Sequence, residues 1–381
     1  MHDHSPQSQP PDRNDHLDEV AFQRDLLDWF AANRRPLPWR EEYDPYHVWI
    51  SEIMAQQTQM SRVTPYFERF VTRFPDPASL AAAHEDEVLK LWEGLGYYSR
   101  ARNLMRAAKV VASEHGGRFP DDPAAVAALP GIGPYTAGAI LSVAFNQPRT
   151  AVDANVERVF ARLFDLDKPV KEKATKAFIH ETADRLRPEG RARDFNQALM
   201  EFGALVCTPK NPACVECPVK RHCLGFARGT QLERPVSAKG VQIVRITMAS
   251  GVLIHGGRLY IQKRRPDDVW PGLWEFPGGV VETGETPERA LVREYAEECA
   301  VAVDPAGKAG VIKYSYTRYR VTLHGYFCRF SGDFRQPELL AADEGRFVSP
   351  AELDGYAFPS GHRRLIETIR SDVRLAALLA E

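Results

Sequence analysis

The hydrophobic pattern of this chain changes its period once, and that change limits the folds open to it. From Leu17 to about residue 226, apolar residues recur at spacings of three and four, as in DEVAFQRDLLDWFAANRR. This is the period of an amphipathic helix. From Val241 the pattern alternates, as in VQIVRITMASGVLIH, which is typical of half-buried strands. The sequence therefore predicts a multidomain protein, with an all-α domain followed by an α+β domain.

Four segments follow from this pattern. Residues 1–16 are polar and rich in proline, so we expect a disordered tail. We predict that residues 17–227 form the helical domain and residues 241–381 the second domain, each long enough to bury its own core. Residues 228–240 lack periodicity and are interpreted as a linker.

Charge and hydropathy restrict the partners that this chain can have. The formal net charge is −2, so binding of a polyanion has to depend on a local patch. No apolar run reaches membrane-spanning length, and the N-terminus does not resemble a signal peptide. We therefore expect a cytoplasmic protein with no membrane partner.

A glycine pair lies near the middle of the predicted helical domain. Gly131 and Gly133 flank Ile132, and an apolar helix with many small residues follows. A turn of this kind lets backbone N–H groups approach a phosphate at the N-terminus of a helix. A tight turn between two packed helices is the alternative, since a glycine pair alone is a weak motif.

Two carboxylates stand in apolar surroundings. Glu52 lies in DPYHVWISEIMAQQTQM, where burial would raise its pKa and keep it available as a proton donor. Asp153 lies in TAVDANVERVF. One protonated and one ionised carboxylate are what cleavage of a glycosidic bond requires. Simple roles at helix N-termini remain open for both residues.

Four of the six cysteines are grouped at the end of the helical domain. Their spacing is Cys-x6-Cys-x2-Cys-x5-Cys, which differs from the paired Cys-x2-Cys knuckles of a zinc ribbon. Without a secretion signal, a metal or cluster site is favoured over disulfides, and a structural zinc ion remains open. The four residues are Cys207, Cys214, Cys217 and Cys223.

Several stretches together carry a resemblance to a known family. They cover nearly all of residues 20–226 and are LPWR, VWISEIMAQQTQ, LWEGLGYYSRARNL, LPGIGPYTAGAI, VDANVERV, FNQALMEFGALVC and the cysteine loop. The chain resembles the helix-hairpin-helix DNA glycosylases, and most closely the adenine glycosylases of the MutY type. The resemblance implies a base-excision repair enzyme that acts as a monomer on double-stranded DNA. It further implies removal of adenine mispaired with 8-oxoguanine or guanine, and a 4Fe-4S cluster on the four cysteines in residues 207–223.

The resemblance also implies roles for individual residues. Glu52 would protonate adenine at N7, and Asp153 would stabilise the sugar cation. Tyr135 and Asn155 would orient the groups around the sugar. Endonuclease III relatives place a nucleophilic lysine at the position that Tyr135 holds here. Since tyrosine cannot form a Schiff base, a monofunctional glycosylase is expected.

The same resemblance implies contacts with DNA outside the catalytic centre. Gln57 and Tyr97 would wedge into the duplex where the flipped adenine leaves the stack. Gly131 and Gly133 would hold a backbone phosphate beside the lesion. An endonuclease III-like glycosylase of another specificity is an alternative.

The second domain contains GGVVETGETPERALVREYAEECAV, which nearly fits the Nudix box. In a helix, Glu294, Glu297 and Glu298 would share one face and could hold Mg²⁺ against a diphosphate. A solvated acidic face is the alternative. This pattern leaves open a retained hydrolase activity, and with it a nucleotide-pool hydrolase of the 8-oxo-dGTP type whose helical half binds DNA.

In the MutY type, a Nudix-fold domain reads 8-oxoguanine through a Phe-Ser-His loop. Here the corresponding residues are Tyr316, Thr317 and Arg318. Because the hydroxyl is kept and the histidine is lost, Thr317 is the residue of this loop that we expect to contact DNA.

Overall fold

The computed structural model describes residues 17–237 and 242–380. The predicted tail at residues 1–16 and the last residues of the predicted linker lie outside the described residues. By packing, the chain divides into two compact units. The first consists of Met1–Ala78 and Ala107–Gly240, and the second of Ser79–Arg106 and Val241–Glu381. The second unit thus includes a helical segment that precedes the predicted linker.

Helices form the regular structure between Glu19 and Ala227, as the spacing of apolar residues predicts. Several begin at a side-chain cap: Asp18, Asp44, Asp122 and Asp153 each accept a backbone N–H of the first turn. The helices are α1 Glu19–Asn33, α2 Pro45–Ala55, α3 Met60–Arg73, α4 Pro77–Ala82, α5 Glu85–Trp92, α6 Ser99–Glu114, α7 Pro123–Ala128, α8 Pro134–Phe145, α9 Ala154–Leu163, α10 Lys173–Leu186, α11 Ala192–Leu205 and α12 Leu224–Ala227.

Helix α8 is the buried centre of the first unit. It packs against α2, α7 and α11, and its residues 136–144 are all buried. Proline at the first position and Asn146 in the left-handed region at the end fix its limits. A Cβ added at Gly138 would lie 2.4 Å from the carbonyl oxygen of Thr150. Glycine is therefore required there, because the following loop crosses the helix at backbone distance.

The second unit is built on a mixed sheet with the strand order β3-β2-β1-β6-β5. Strand β4 pairs with β1, β7 pairs with β2, and β1 and β6 run parallel. Helices α13 and α14 both contact β5. The elements are β1 Val244–His255, β2 Arg258–Arg264, β3 Trp274–Glu275, β4 Gly278–Val280, α13 Pro287–Cys299, β5 Val303–Tyr316, β6 Tyr319–Phe330, β7 Ala342–Val348, α14 Ser360–Arg370 and α15 Val373–Ala380.

Polar contacts attach the helical segment 79–106 to this sheet unit. Glu93, just after α5, accepts hydrogen bonds from the Phe358 backbone N–H at 3.0 Å and from Arg363 Nε at 2.7 Å. Lys263 Nζ on β2 lies 2.8 Å from Asp86 Oδ1 on α5. The helical periodicity of residues 79–106 does not predict these contacts. It indicates which face of each helix is buried but not which residues pack against that face.

The predicted fold classes, an all-α domain followed by an α+β domain, are confirmed by these elements. Of the described residues, none belongs to a helix with both the length and the apolar character needed to span a membrane.

Replacing Gly138 with alanine is expected to destabilise the protein although alanine favours helices. The added methyl group meets the Thr150 carbonyl, and overpacking of this kind costs about 1–3 kcal/mol. Gly133→Ala is the matched control, because a Cβ there meets nothing within 4 Å. Urea denaturation of both variants tests this, and equal stability of the two would contradict it.

Candidate active site

Five of the residues predicted to act in catalysis or in DNA binding line one pocket of the first unit. Glu52, Gln57, Tyr135, Asp153 and Asn155 all line it, and its cavity volume is about 780 Å³. Since these residues lie far apart in the sequence, the fold of the first unit brings them together. A pocket of this size accommodates a nucleoside-sized ligand.

Three helices position the polar groups of this pocket. Glu52 lies on α2, and Tyr135 lies in the first turn of α8. Asp153 caps α9, with Oδ1 accepting the Val156 N–H at 2.8 Å. Its other oxygen accepts a hydrogen bond from Asn155 Nδ2 at 2.7 Å. Asp153 is therefore both a helix cap and a member of the pocket.

The carboxyl of Glu52 has an unusual protonation equilibrium. Burial raises its pKa to about 7, and the nearby Asp153 acts in the same direction. The Tyr135 hydroxyl, which donates to Glu52 Oε2 at 3.3 Å, and the charge of Arg40 oppose this shift. Burial likewise raises the pKa of Asp153, while its hydrogen bonds from Val156 and Asn155 lower it. Glu52 is thus suited to exchange a proton near neutral pH.

A third carboxylate, that of Glu201, lines the same pocket and was not singled out from the sequence. Burial alone would raise the pKa of Glu201, but hydrogen bonds from Arg35 and Arg40 outweigh it and lower the pKa to about 2. Arg35 Nε lies 2.7 Å and Arg40 Nη2 3.0 Å from its oxygens. The signal was available, since Glu201 interrupts the apolar helix NQALMEFGAL as Glu52 interrupts α2.

Arg158 connects this pocket to the cysteine loop. Its Nη2 donates to Asn155 Oδ1 at 2.9 Å and to the Gly203 carbonyl at 2.7 Å. Its Nε donates to the Cys207 carbonyl at 2.8 Å. The Arg158 guanidinium therefore contacts both Asn155, which donates a hydrogen bond to Asp153, and the backbone of Cys207, the first cysteine of the loop.

The glycine pair forms the turn between α7 and α8. Gly131 has φ 80°, and Gly133 is the N-terminal cap of α8. The intervening Ile132 is buried, and its N–H donates to the Leu129 carbonyl at 3.1 Å. The backbone at Gly133 is open, since an added Cβ meets nothing within 4 Å. Phosphate binding at this turn stays a prediction.

All four grouped cysteines line one separate pocket. In the described part of the chain, no group of three or more His, Cys, Asp or Glu side chains is arranged to hold a metal ion. Arg162 Nη1 donates to Cys207 Sγ at 3.3 Å and to the Thr208 carbonyl at 2.7 Å. A set of thiols around a shared space, with a cation donating to one sulfur, has the chemistry of a cluster site.

The other predicted DNA contacts belong to the second unit. Thr317 is exposed at the turn between β5 and β6. Tyr97 lies just before α6, and its ring centroid is 6.2 Å from that of Tyr316. The structure therefore brings Tyr97 next to the turn that carries Thr317.

The acidic residues of the Nudix box lie on α13, and they have protein partners. Arg293 Nη1 donates to Glu294 at 2.9 Å and to Glu297 at 3.1 Å. Glu298 accepts from Gln262 Nε2 at 2.9 Å and from the Gly278 N–H at 3.1 Å. Burial raises the pKa of Glu298 to about 8. These hydrogen bonds leave acceptor sites on each carboxylate, and the magnesium site stays a prediction.

Both halves of the chain match known families. Residues 50–183 match the HhH-GPD superfamily of base excision DNA repair proteins, and residues 249–368 match the NUDIX domain. The adenine DNA glycosylase of Buchnera aphidicola subsp. Baizongia pistaciae (strain Bp) is 35% identical over 260 residues, which cover 68% of this chain and 74% of that protein. The chain belongs to the adenine DNA glycosylase family.

Two further similarities agree with membership of this family. The adenine DNA glycosylase of Rattus norvegicus is 33% identical over 373 residues, covering 84% of this chain and 72% of that protein. A solved structure of a thermostable thymine-DNA glycosylase is 32% identical, with a TM-score of 0.51, and covers 55% of this chain and 97% of its own. The predicted family, a base-excision DNA glycosylase with DNA as its partner, is therefore confirmed.

The raised pKa of Glu52 predicts a stability difference that depends on pH. The ordinary pKa of this side chain is 4.5, whereas in the folded protein it is about 7. The stability from the bound proton is therefore complete below pH about 4.5 and is lost as pH rises through about 7. Glu52→Gln avoids that loss. The free energy of unfolding of this variant, relative to that of the wild type, is therefore expected to increase by about 2–3 kcal/mol between pH 5 and 8.

Urea denaturation across this pH range measures the difference. Glu68→Gln, on the exposed face of α3, is the control and should follow the wild type at every pH. A constant difference between Glu52→Gln and the wild type would show that Glu52 has an ordinary pKa.

Proposed function

We propose that this glycosylase hydrolyses the N-glycosidic bond of adenine mispaired with 8-oxoguanine or guanine, without cleaving the DNA strand. One observation carries the proposal: a carboxyl with a pKa of about 7, Glu52, shares a nucleoside-sized pocket with a second carboxylate, Asp153. Loss of a purine through an oxocarbenium-like state needs a proton donor for the base and a negative charge near the sugar.

The chemistry follows from the protonation states of these two carboxyls. Glu52 gives its proton to N7 of adenine, and the bond between C1′ and N9 breaks with its electron pair leaving on the base. The ionised Asp153, held by Val156 and Asn155, stabilises the positive charge on the sugar. Water then adds to C1′, and its proton passes to the Glu52 carboxylate, which restores the acid.

Tyr135 limits the reaction to base removal. Its hydroxyl donates to Glu52, and burial raises its pKa well above the usual range, so the hydroxyl stays neutral. A neutral phenol supplies no amine for a Schiff base with the sugar, which is the step that leads to strand cleavage. The hydrogen bond from Tyr135 to Glu52 supports a different role for this tyrosine, which is to orient the acid.

The proposed function also includes DNA contacts outside the catalytic centre. Gln57 lines the pocket directly after α2 and has φ 55°, a backbone conformation that few non-glycine residues adopt. It is suited to enter the space that a flipped adenine leaves, with Tyr97 as its partner in the duplex. The N–H groups around Gly131 and Gly133 would bind a phosphate.

The turn that carries Thr317 is proposed to read 8-oxoguanine. Thr317 has φ 48°, and its exposed hydroxyl both donates and accepts hydrogen bonds. A hydroxyl can therefore respond to the group at N7 of the opposite purine, which is an acceptor in guanine and an N–H donor in 8-oxoguanine.

A 4Fe-4S cluster is proposed for the four cysteines, with the structural role of joining the loop to α9 and α11. Arg162 supports that loop through the carbonyls of Cys207, Thr208 and Pro209. All four thiols line one pocket, and cysteine thiolates are the ligands that hold iron–sulfur clusters.

Purified protein is expected to contain about four iron atoms per chain and to absorb visible light, as iron–sulfur proteins do. Cys217→Ser should lower both the iron content and the absorbance, whereas Cys328→Ser, buried in the second unit, should change neither. A colourless wild type that contains zinc would overturn the cluster assignment.

Glu52→Gln is expected to slow adenine release from an A:8-oxoguanine duplex at least about 100-fold, because glutamine cannot donate the proton. Glu68→Gln should retain the wild-type rate. Single-turnover release across A:8-oxoguanine, A:G and A:T pairs measures the effect. Full release by Glu52→Gln would remove Glu52 as the acid, and no release by the wild type would remove the proposed function.

The same preparations distinguish the Nudix alternative. Incubation with Mg²⁺ and a panel of nucleoside triphosphates tests whether Glu294, Glu297 and Glu298 support hydrolysis. Hydrolysis that persists in Glu52→Gln and is lost in Glu297→Gln would assign a second activity to the second unit.

A further inference from the structure

Three residues of the second unit adopt left-handed backbone conformations and meet around one aromatic ring. Tyr97 has φ 48°, Trp270 φ 59° and Thr317 φ 48°. They come from three separate connections, before α6, between β2 and β3, and between β5 and β6. Bulky residues rarely adopt this conformation, and such residues concentrate at functional sites.

The ring at the centre is Tyr316, which directly precedes Thr317. Trp270 contacts it edge-on, with 5.1 Å between ring centroids and an interplanar angle of 75°. Tyr97 lies tilted at 6.2 Å from the same ring. Aromatic pairs at these distances contribute beyond their buried area. Tyr316 is thus held by two rings, and its orientation fixes the start of the turn that presents Thr317.

The loop that carries Trp270 is itself held firmly. Arg264 Nε donates to the Val269 carbonyl at 2.6 Å, and Arg264 Nη2 pairs with Asp268 Oδ2 at 2.6 Å. The same guanidinium pairs with the buried Glu275. Because Arg264 is anchored in the sheet, the loop holds Trp270 against Tyr316, which makes Trp270 a support for the turn.

The surroundings of the turn suit a polyanion. Arg245, Lys313, Arg318 and Arg320 are exposed along the ends of β1, β5 and β6. Within the described ranges none of these four cations is paired with a carboxylate. Unpaired cations beside aromatic rings are the combination that binds nucleic acid, through phosphates and through bases.

We infer that Trp270 is a positioning residue for specificity, which holds the Tyr316–Thr317 turn in the orientation that distinguishes the purine opposite the adenine. This inference rests on the proposed function, since it deepens the role given to Thr317. Trp270 acts through Tyr316 and not on the glycosidic bond. Its loss is therefore expected to reduce discrimination between 8-oxoguanine and guanine while the cleavage step is unchanged.

Binding to two duplexes tests the inference. Each duplex contains 2′-fluoro-adenosine, which resists cleavage, opposite either 8-oxoguanine or guanine. Trp270→Ala is expected to reduce the ratio of the two dissociation constants about tenfold, which corresponds to about 1.4 kcal/mol. Trp270→Phe keeps a ring and should retain most of the ratio. Phe334→Ala removes an exposed aromatic ring elsewhere in the unit and should leave the ratio unchanged.

A second measurement separates positioning from general damage. At saturating enzyme, the single-turnover rate on an A:G duplex should be the same for Trp270→Ala and the wild type. Asp268→Asn leaves the indole in place but weakens its anchor, so it should reduce the ratio in part. This variant decides the matter if Trp270→Ala does not fold.

Three outcomes overturn the inference. The first is an unchanged ratio of dissociation constants in Trp270→Ala or, should that variant not fold, in Asp268→Asn. The others are an equal loss of affinity for both duplexes, and a ratio in Trp270→Phe as low as that in Trp270→Ala. They differ from a failure of the proposed function, in which the wild type itself releases no adenine.

Discussion

A carboxyl group with a pKa of about 7 needs a site that withholds water yet leaves a path for a proton, and the packing around α8 gives Glu52 such a site. The small residues of α8 let α2 and α11 approach closely, with Gly138 at backbone contact distance from the loop before Asp153. That loop delivers Asp153 to the same pocket. The position of Asp153 therefore depends on the close contact between α8 and this loop.

Arginine side chains connect this pocket to the rest of the unit. Arg35 and Arg40 neutralise Glu201, so that the pocket contains this third carboxylate without a second proton donor near neutral pH. Arg158 joins Asn155 to the Cys207 carbonyl, and Arg162 holds the backbone of the cysteine loop. Guanidinium groups can bind several carboxylate and carbonyl oxygens at once, because each has five donors and remains charged when buried.

In the second unit, polar anchors hold loops in strained conformations. Arg264 fixes the loop of Trp270, and the segment with Tyr97 is attached through Glu93 and Asp86. The cost of left-handed backbone at bulky residues, of order 1–3 kcal/mol each, is offset by these contacts. Tyr97 and Trp270 both contact the Tyr316 ring in this arrangement.

The sequence by itself determined the two fold classes and the family, because periodicity and motif spacing are local properties of the chain. Glu52 and Asp153 were visible as carboxylates in apolar surroundings. Only the tertiary structure decided that residues 79–106 pack with the second unit, that Glu201 shares the pocket, and that Trp270 supports Tyr316. Those facts depend on contacts between residues distant in sequence, and a buried face does not reveal which partner covers it.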